Sequence, residues 1–351
     1  MRTRPLVTVL TPVYNGERYL VECIESVLAQ TYEQWEYVIV DNCSTDRTRE
    51  IAERYARKDS RIRVHANETF VDVLRNHNIA FRQAAPDSGY CKVVQADDWI
   101  FPECLERMVA VAEAHPTVGI VGAYRLDGGR VDCDGLPYPS PITPGRELCR
   151  ATLLGGPGVF GSPTSILIRT EHVRRAEAFY DESDIHADTA SCFEVLRTAD
   201  FGFVHQVLTF TRRREGSRTS QEEQRNSYLP AALRHLASYG PIYLSEDERA
   251  AVAATLLRYY YRFLARSLVE RRGREFWTYH RGQLESLGYG FSRLRVLKTA
   301  LVYTSKALSL PGALARRMAR PGRAATGART DPSDAGGDAD GRGRRRATWR
   351  M

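Results

Sequence analysis

Between Leu6 and about Val121, short β-rich runs alternate with amphipathic stretches, and this alternation restricts the fold more than any other feature of the chain. Repeated strand-helix units of this kind build a largely parallel sheet flanked by helices, an α/β architecture. The strand candidates are Leu6–Thr11, Glu36–Asp41, Arg61–His65, Tyr90–Gln95 and Val118–Val121. Leu20, Ile24, Val27 and Leu28 recur at helical spacing, which predicts a helix from about Glu17 to Gln30. Ser44-Thr45-Asp46 offers capping oxygens and a negative first turn to a helix carrying Ile51, Ala52 and Tyr55. Further helices are expected near Asp72–Ala84 and Pro102–His115.

Residues 124–165 change character. Gly, Pro and Asp dominate around Asp127-Gly128-Gly129 and Pro137-Tyr138-Pro139, so a loop-rich connection with short strands is expected, bordering a site. A second structured portion follows, with strands expected at Thr164–Arg169 and Phe201–Thr211 and a helix at Asp188–Thr198. From Tyr228 to about Leu310 the pattern is helical, including Val252–Glu270 and Leu294–Leu308, and residues 311–351 have the composition of a disordered basic tail. The division expected is therefore 1–122, 123–222, 223–310 and 311–351.

The 351 residues are 43% apolar and 26% charged, enough for a substantial core. The formal charge is +7, but residues 311–351 hold ten Arg and four Asp, a net of +6, which leaves +1 on the rest. A body so close to neutral has no broad footprint for a nucleic-acid backbone, and no nucleic-acid partner is expected. Seven Cys, an odd number with no Cys-x-x-Cys, predict reduced thiols in a cytoplasmic protein. Met1-Arg2-Thr3-Arg4-Pro5 leads straight into a strand-like run, and no stretch approaches about 18 uninterrupted apolar residues. Neither a secretion signal nor a transmembrane helix is expected.

In an open α/β sheet, ligands bind beyond the carboxyl ends of the strands. Here those positions hold Thr11-Pro12-Val13-Tyr14-Asn15-Gly16, Asp41-Asn42-Cys43-Ser44-Thr45-Asp46 and Gln95-Ala96-Asp97-Asp98. Each alone is equally well turn or cap chemistry, but their coincidence at three strand ends points to a ligand site.

The segments Val9–Gly16, Ile24–Tyr32, Val38–Asp46, Arg75-Asn76 and Ala96-Asp97-Asp98 with Pro102 occur in an order and spacing that resembles the family-2 glycosyltransferases, across roughly the first 120 residues. These are inverting enzymes of the GT-A fold that use nucleotide-activated sugars. The resemblance implies a Rossmann-like, mostly parallel sheet flanked by helices, here with a helical C-terminal extension, and a nucleotide-diphosphate sugar as donor. It assigns Pro12, Tyr14 and Asn15 to the base and ribose, Asp41 to a hydrogen bond with the base, and Arg75, Gln95 and Ala96 to the rest of the nucleotide site. An acceptor-only carboxylate at Asp41 suits the imino N–H of uracil or thymine, or the N1–H and N2–H₂ edge of guanine. Asp97, with Asp98 beside it, is the implied ligand of a divalent cation, Mg or Mn. The family usually has a further Asp two residues before Asp97, where this chain has Gln95.

Inversion requires a base on the sugar face opposite the leaving group. The family commonly carries a Glu-Asp pair at the start of a helix in its second half, and the corresponding run is Gly161-Ser162-Pro163-Thr164-Ser165, Phe179-Tyr180-Asp181-Glu182 and His186-Ala187-Asp188. Ala187 replaces the Glu, and Asp188 is the expected catalytic base, with a helix cap as its other reading; His186 and then Asp184 are the next candidates. Thr211–Ser217 aligns with a loop that closes over the diphosphate, which makes Arg212 and Arg214 phosphate-binding candidates, or members of a solvated basic loop.

The acceptor implied is a saccharide or lipid-linked glycoside, in polysaccharide or glycoconjugate assembly. Two other classes are open at this level. A non-catalytic nucleotide-sugar or saccharide binding protein would account for Gln95 and Ala187; a nucleotidyltransferase would need a Gly-rich basic loop that Thr11–Gly16 lacks. Leu256–Arg266 interleaves aromatic residues with Arg, and Leu294–Leu308 pairs apolar residues with Arg295, Lys298 and Lys306. Such helices either pack on the catalytic domain or contact an anionic membrane surface, which would put the protein peripherally at the inner face of the cell membrane.

Overall fold

The computed structural model describes residues 4–213 and 225–308. Strands β1 (Leu6–Val13), β2 (Trp35–Asp41), β3 (Ile62–Ala66) and β4 (Ser88–Val93) alternate with helices α1 (Leu20–Leu28), α2 (Thr48–Ala56) and α3 (Val73–Arg82). β1 is buried almost end to end, its Thr8 and Thr11 included, and pairs in parallel with both β2 and β4. The chain continues through β5 (Trp99–Ile100), α4 (Cys104–Ala114), β6 (Val118–Asp127), β7 (Arg130–Asp132), β8 (Ile142–Thr143) and α5 (Gly145–Leu153). After these come β9 (Ile166–Arg169), α6 (Thr170–Val173), α7 (Ala187–Val195) and β10 (Asp200–Thr211).

All these strands join one sheet in the order β3-β2-β1-β4-β9-β6-β10-β5, with β7 on β6 and β8 on β10. β9 lies antiparallel between β4 and β6, while β6 and β10 run parallel to each other. Residue 122 falls inside β6, so the two halves expected from the sequence share this sheet. One face is covered through Leu20, Ile24, Ile51 and Met108 of α1, α2 and α4. The other is covered through Leu74, Leu148 and Phe193 of α3, α5 and α7, completing an α/β/α sandwich.

The expected strands and helices are present, with ends moved by a few residues; α1, for example, is three residues shorter at its start than the apolar pattern suggested. Residues 124–165 differ more. β6 runs on to Asp127, and a helix, α5, occupies a stretch expected to be loop. Gly145 opens that helix where close approach requires glycine: a Cβ there would overlap the backbone carbonyl of Ala199. Gly145→Ala is therefore expected to destabilise the fold by about 3 kcal/mol or more, read as a lower denaturant midpoint at unchanged slope.

The C-terminal third contributes α8 (Tyr228–Tyr243), α9 (Glu246–Val269), α10 (Arg274–Ser286) and α11 (Arg293–Leu308). α9 begins earlier than its apolar pattern, at a capping box in which Glu248 N donates to Ser245 Oγ at 3.2 Å and Ser245 N to Glu248 Oε2 at 3.0 Å. α8 packs on the α/β body, its Tyr239 ring stacked 4.9 Å from Phe193. Leu256, Tyr260, Tyr261 and Leu264 of α9 are buried, and this helix packs chiefly against α8 and α11. None of the described helices is long and apolar enough to cross a membrane.

Buried His280 ties α9 to α10. Its Nδ1 lies 2.7 Å from the Tyr260 hydroxyl and its Nε2 is 2.9 Å from the Arg225 carbonyl, which fixes the neutral tautomer with Nε2 donating. Burial pushes the imidazole down to about 4, so the unfolded chain binds a proton there that the folded chain refuses. The stability it contributes is present above about pH 6.5 and lost as pH falls toward 4, on the order of 3 kcal/mol in all. His280→Gln keeps a donor and an acceptor and does not titrate, and its loss of melting temperature between pH 6.5 and 4.5 is expected to be clearly shallower than the parent's.

Candidate active site

The carboxyl ends of β1, β2 and β4 bring three loops side by side. Asn15 adopts φ +49°, and in that conformation its Oδ1 accepts from Thr45 N at 2.8 Å while its own N–H donates to Ser44 Oγ at 2.9 Å. Gly16 N donates to Thr48 Oγ1 at 2.7 Å, and a Cβ on Gly16 would lie 2.6 Å from Val13 Cγ2. The β1 and β2 loops are thus clamped together by the residues that looked like turn chemistry. One expectation changes accordingly. Asn15 remains exposed, with its carboxamide oxygen committed to Thr45, and Pro12 is buried within β1 opposite Val40, so Pro12 offers no side-chain edge to a ligand.

Asp41 ends β2 and is 2% exposed, with its carboxylate oxygens 3.3–3.4 Å from Ser44 N. Beside it Asn42 is held by Val71 N and by Asn67, which also donates to Asn76 Oδ1 at 2.8 Å. Tyr14 is 49% exposed and meets Phe70 edge to face at 4.9 Å, and Phe70 is itself 61% exposed. The pair makes an aromatic wall at the mouth of these loops. Phe70 was not singled out from the sequence, although an aromatic in a polar loop after the third strand was a usable signal. Arg75 lies on the exposed face of α3.

The loop after β4 is fastened from three sides. Thr164 Oγ1 donates to Asp98 Oδ2 at 2.6 Å and accepts from Gln95 N at 3.1 Å; Arg212 N donates to Asp98 Oδ1 at 3.0 Å. Lys92, fully buried, donates to the carbonyl of Thr164 at 2.6 Å and of Ile166 at 3.2 Å. Burial pushes the Lys92 ammonium down and the Asp98 carboxyl up to about 7, the latter helped by Asp97 beside it. Asp98 is therefore an internal brace, its two oxygens engaged with Thr164 and Arg212, and not the second metal ligand expected. Asp97 is half-buried at the same loop. The Arg212 guanidinium, expected on a diphosphate, donates from Nε to the Asp97 carbonyl at 3.0 Å, pairs with Glu22 and lies over the Tyr19 ring. Arg214 lies outside the described residues. Gln95 sets its amide 3.1 Å from His77 Nε2, and Ala96 packs near Gly16.

The turn that holds Asp98 also reaches Asp188. Gly161 takes φ +66°, and a Cβ there would come within 2.6 Å of Ser165. Ser162, next along, lies 3.3 Å from Thr211 Oγ1, and the Gly161-Ser162 stretch lines one small recess together with Phe160, Asp188 and Thr189. Asp188 sits half-buried in the first turn of α7, where its Oδ1 accepts from Thr189 N at 2.8 Å. His186, N-terminal to that helix, places Nε2 3.1 Å from Ser227 Oγ. Asp184 is buried as a brace, accepting from His186 N at 3.0 Å with His235 Nε2 at 3.5 Å. Burial alone would raise its carboxyl, but these partners and Arg234 leave it below the usual carboxylate range.

Among the described residues, no three His, Cys, Asp or Glu side chains gather as a metal cage. All seven cysteines are free, six of them buried, as expected of reduced core thiols.

A parallel sheet with polar loops meeting at adjacent strand ends defines an α/β nucleotide-binding type of domain. Residues 8–175, just under half of the chain, match the profile described as glycosyl transferase family 2, and the fold is of the GT-A type. Bacillus subtilis EpsE is 34% identical over 162 residues, 44% of this chain and 57% of EpsE. Glycosyltransferase GlyG of Streptococcus pneumoniae is 29% identical over 231 residues, covering 60% of this chain and 72% of that protein. Among solved structures, S. aureus TarS 1-349 in complex with UDP-GlcNAc superposes with a TM-score of 0.60 at 20% identity, over 84% of this chain and 88% of that one.

Proposed function

We propose that the chain is an inverting glycosyltransferase that moves a sugar from a nucleoside diphosphate donor to a hydroxyl of a saccharide or lipid-linked glycoside, in the assembly of a polysaccharide or glycoconjugate. The observation that carries this reading is the meeting, at neighbouring strand ends, of the loop after Asp41 with the Asp97 loop, the latter fixed by Thr164 and Arg212. The family-2 profile match, the names of the relatives, and the nucleotide sugar bound by the TarS neighbour support it.

In this reading Asp41 accepts from an imino N–H of the base, and the Tyr14–Phe70 wall covers the open side of the nucleotide. Asp97 would hold a divalent cation, Mg²⁺ or Mn²⁺, whose charge offsets the negative charge gained by the departing diphosphate. The loop bearing Asp97 is kept in place by Arg212 and Asp98, so its carboxylate needs little reorganisation when the donor binds. Asp188 takes the proton from the acceptor hydroxyl as that oxygen attacks the anomeric carbon from the face opposite the leaving group.

Titration of the protein with UDP, GDP and TDP, each with and without Mn²⁺ or Mg²⁺, tests the reading when followed by donor turnover with the best base. Metal-dependent binding of one nucleotide and slow release of the sugar are expected. Binding without any turnover, with or without candidate acceptors, would instead favour a non-catalytic module, consistent with Gln95 and Ala187 standing where the family has acidic residues.

A further inference from the structure

Helix α11 is attached to the body by one face only. Val296 and Ala300 are buried, 3% and 8% exposed, and Arg295 lies over the Tyr261 ring at 4.1 Å. Turning away from them, Leu294, Leu297 and Leu301 repeat at spacings of three and four and are 71%, 50% and 70% exposed, with Val302 next to them at 55%. A stripe of four large aliphatic side chains in water on a single helix is unfavourable unless something covers it. Exposed Arg293, Arg295 and Lys298 lie among and beside these residues. In the sequence beyond the helix, residues 311–351 add a net charge of +6.

We propose that this face of α11 docks on an anionic lipid bilayer surface. The chemistry separates that occupant from a second copy of the chain. Pairing two such faces would bring Arg293 and Lys298 of one copy toward the same cations of the other and oppose two tails of like charge, whereas an anionic headgroup layer complements every one of these charges. Long basic side chains next to a leucine stripe also match the interface, because their stems lie along the apolar boundary while the charged ends reach the headgroups. The contact is parallel to the membrane plane, in keeping with helices too polar to span it. It stands independently of the transfer chemistry, since none of its residues belongs to the candidate active site.

The test is flotation of the full chain with vesicles of phosphatidylcholine alone or mixed with phosphatidylglycerol, at low and high salt, comparing the parent with Leu294→Gln/Leu301→Gln and with Arg293→Glu/Lys298→Glu. These positions are exposed, so both variants should melt with the parent. Partitioning at least tenfold stronger onto the anionic vesicles is expected, weakened by salt and reduced at least tenfold in either variant. Undiminished partitioning of the leucine variant would place any membrane contact in the basic tail alone and overturn the proposal. So would absence of partitioning by the parent, or a parent dimer in solution that the leucine variant abolishes, which would assign the face to a second copy.

Discussion

Asp97→Asn is expected to lower kcat/KM for sugar transfer by about a thousandfold or more while leaving the melting temperature close to that of the parent. The two halves of that expectation have separate causes. The substitution is nearly isosteric at a half-buried position, and the contact that fixes the loop from Arg212 is made to the Asp97 backbone carbonyl, which the variant keeps. What it removes is the negative charge that would face a cation and the diphosphate, worth several kcal/mol in a leaving-group step. Asp98→Asn should behave in the opposite way, because its oxygens hold Thr164 and Arg212 and its loss is felt in the packing of the loop before it is felt in chemistry. Steady-state rates across a Mg²⁺ or Mn²⁺ titration, with thermal melts of both variants, separate the roles. Parent-like activity and metal dependence in Asp97→Asn would remove Asp97 from the cation site.

The contrast between these neighbours marks where sequence reading stops. The order of strands and helices was legible because each element carries its own periodicity, as in the apolar run of β1 or the helical spacing of Leu20, Ile24 and Val27. The polar strand ends were legible because ligands lie beyond such ends in a parallel sheet. Which member of a polar cluster faces a ligand was not, since it depends on long-range partners. Asn15 binds Thr45, and Asp98 binds Thr164 and Arg212, across separations that no local pattern encodes. Lys92 shows the same limit: a lysine inside a strand suggests an edge or a solvent-facing position, yet here it lies fully buried beneath carbonyls supplied by the 161–165 turn and β9. The glycine at 145 likewise carries no local signal, because the close approach of Ala199 that demands it belongs to another part of the chain. Phe70 went unnoticed because its significance comes from contact with Tyr14, which lies two strands away in sequence and one edge-to-face contact away in space.

Asp188→Asn carries the second large effect, a fall of about 10²- to 10⁴-fold in transfer with nucleotide binding unchanged. The amide keeps an oxygen to accept from Thr189 N, so the first turn of α7 retains its hydrogen bond and only proton acceptance is lost. The other two candidates in the same stretch predict different signatures. Asp184 is buried against His186 N and His235, so Asp184→Asn should lower stability, with activity falling only as far as the fold does. His186→Gln retains a polar group toward Ser227, 3.1 Å from the native Nε2, and should leave most of the transfer rate in place. Measuring donor affinity, transfer rate and melting temperature for all three assigns the base by which variant loses rate alone. Full transfer by Asp188→Asn would move the base to another residue facing the acceptor. A rate collapse confined to His186→Gln would name that imidazole, which lies within one turn of Asp188.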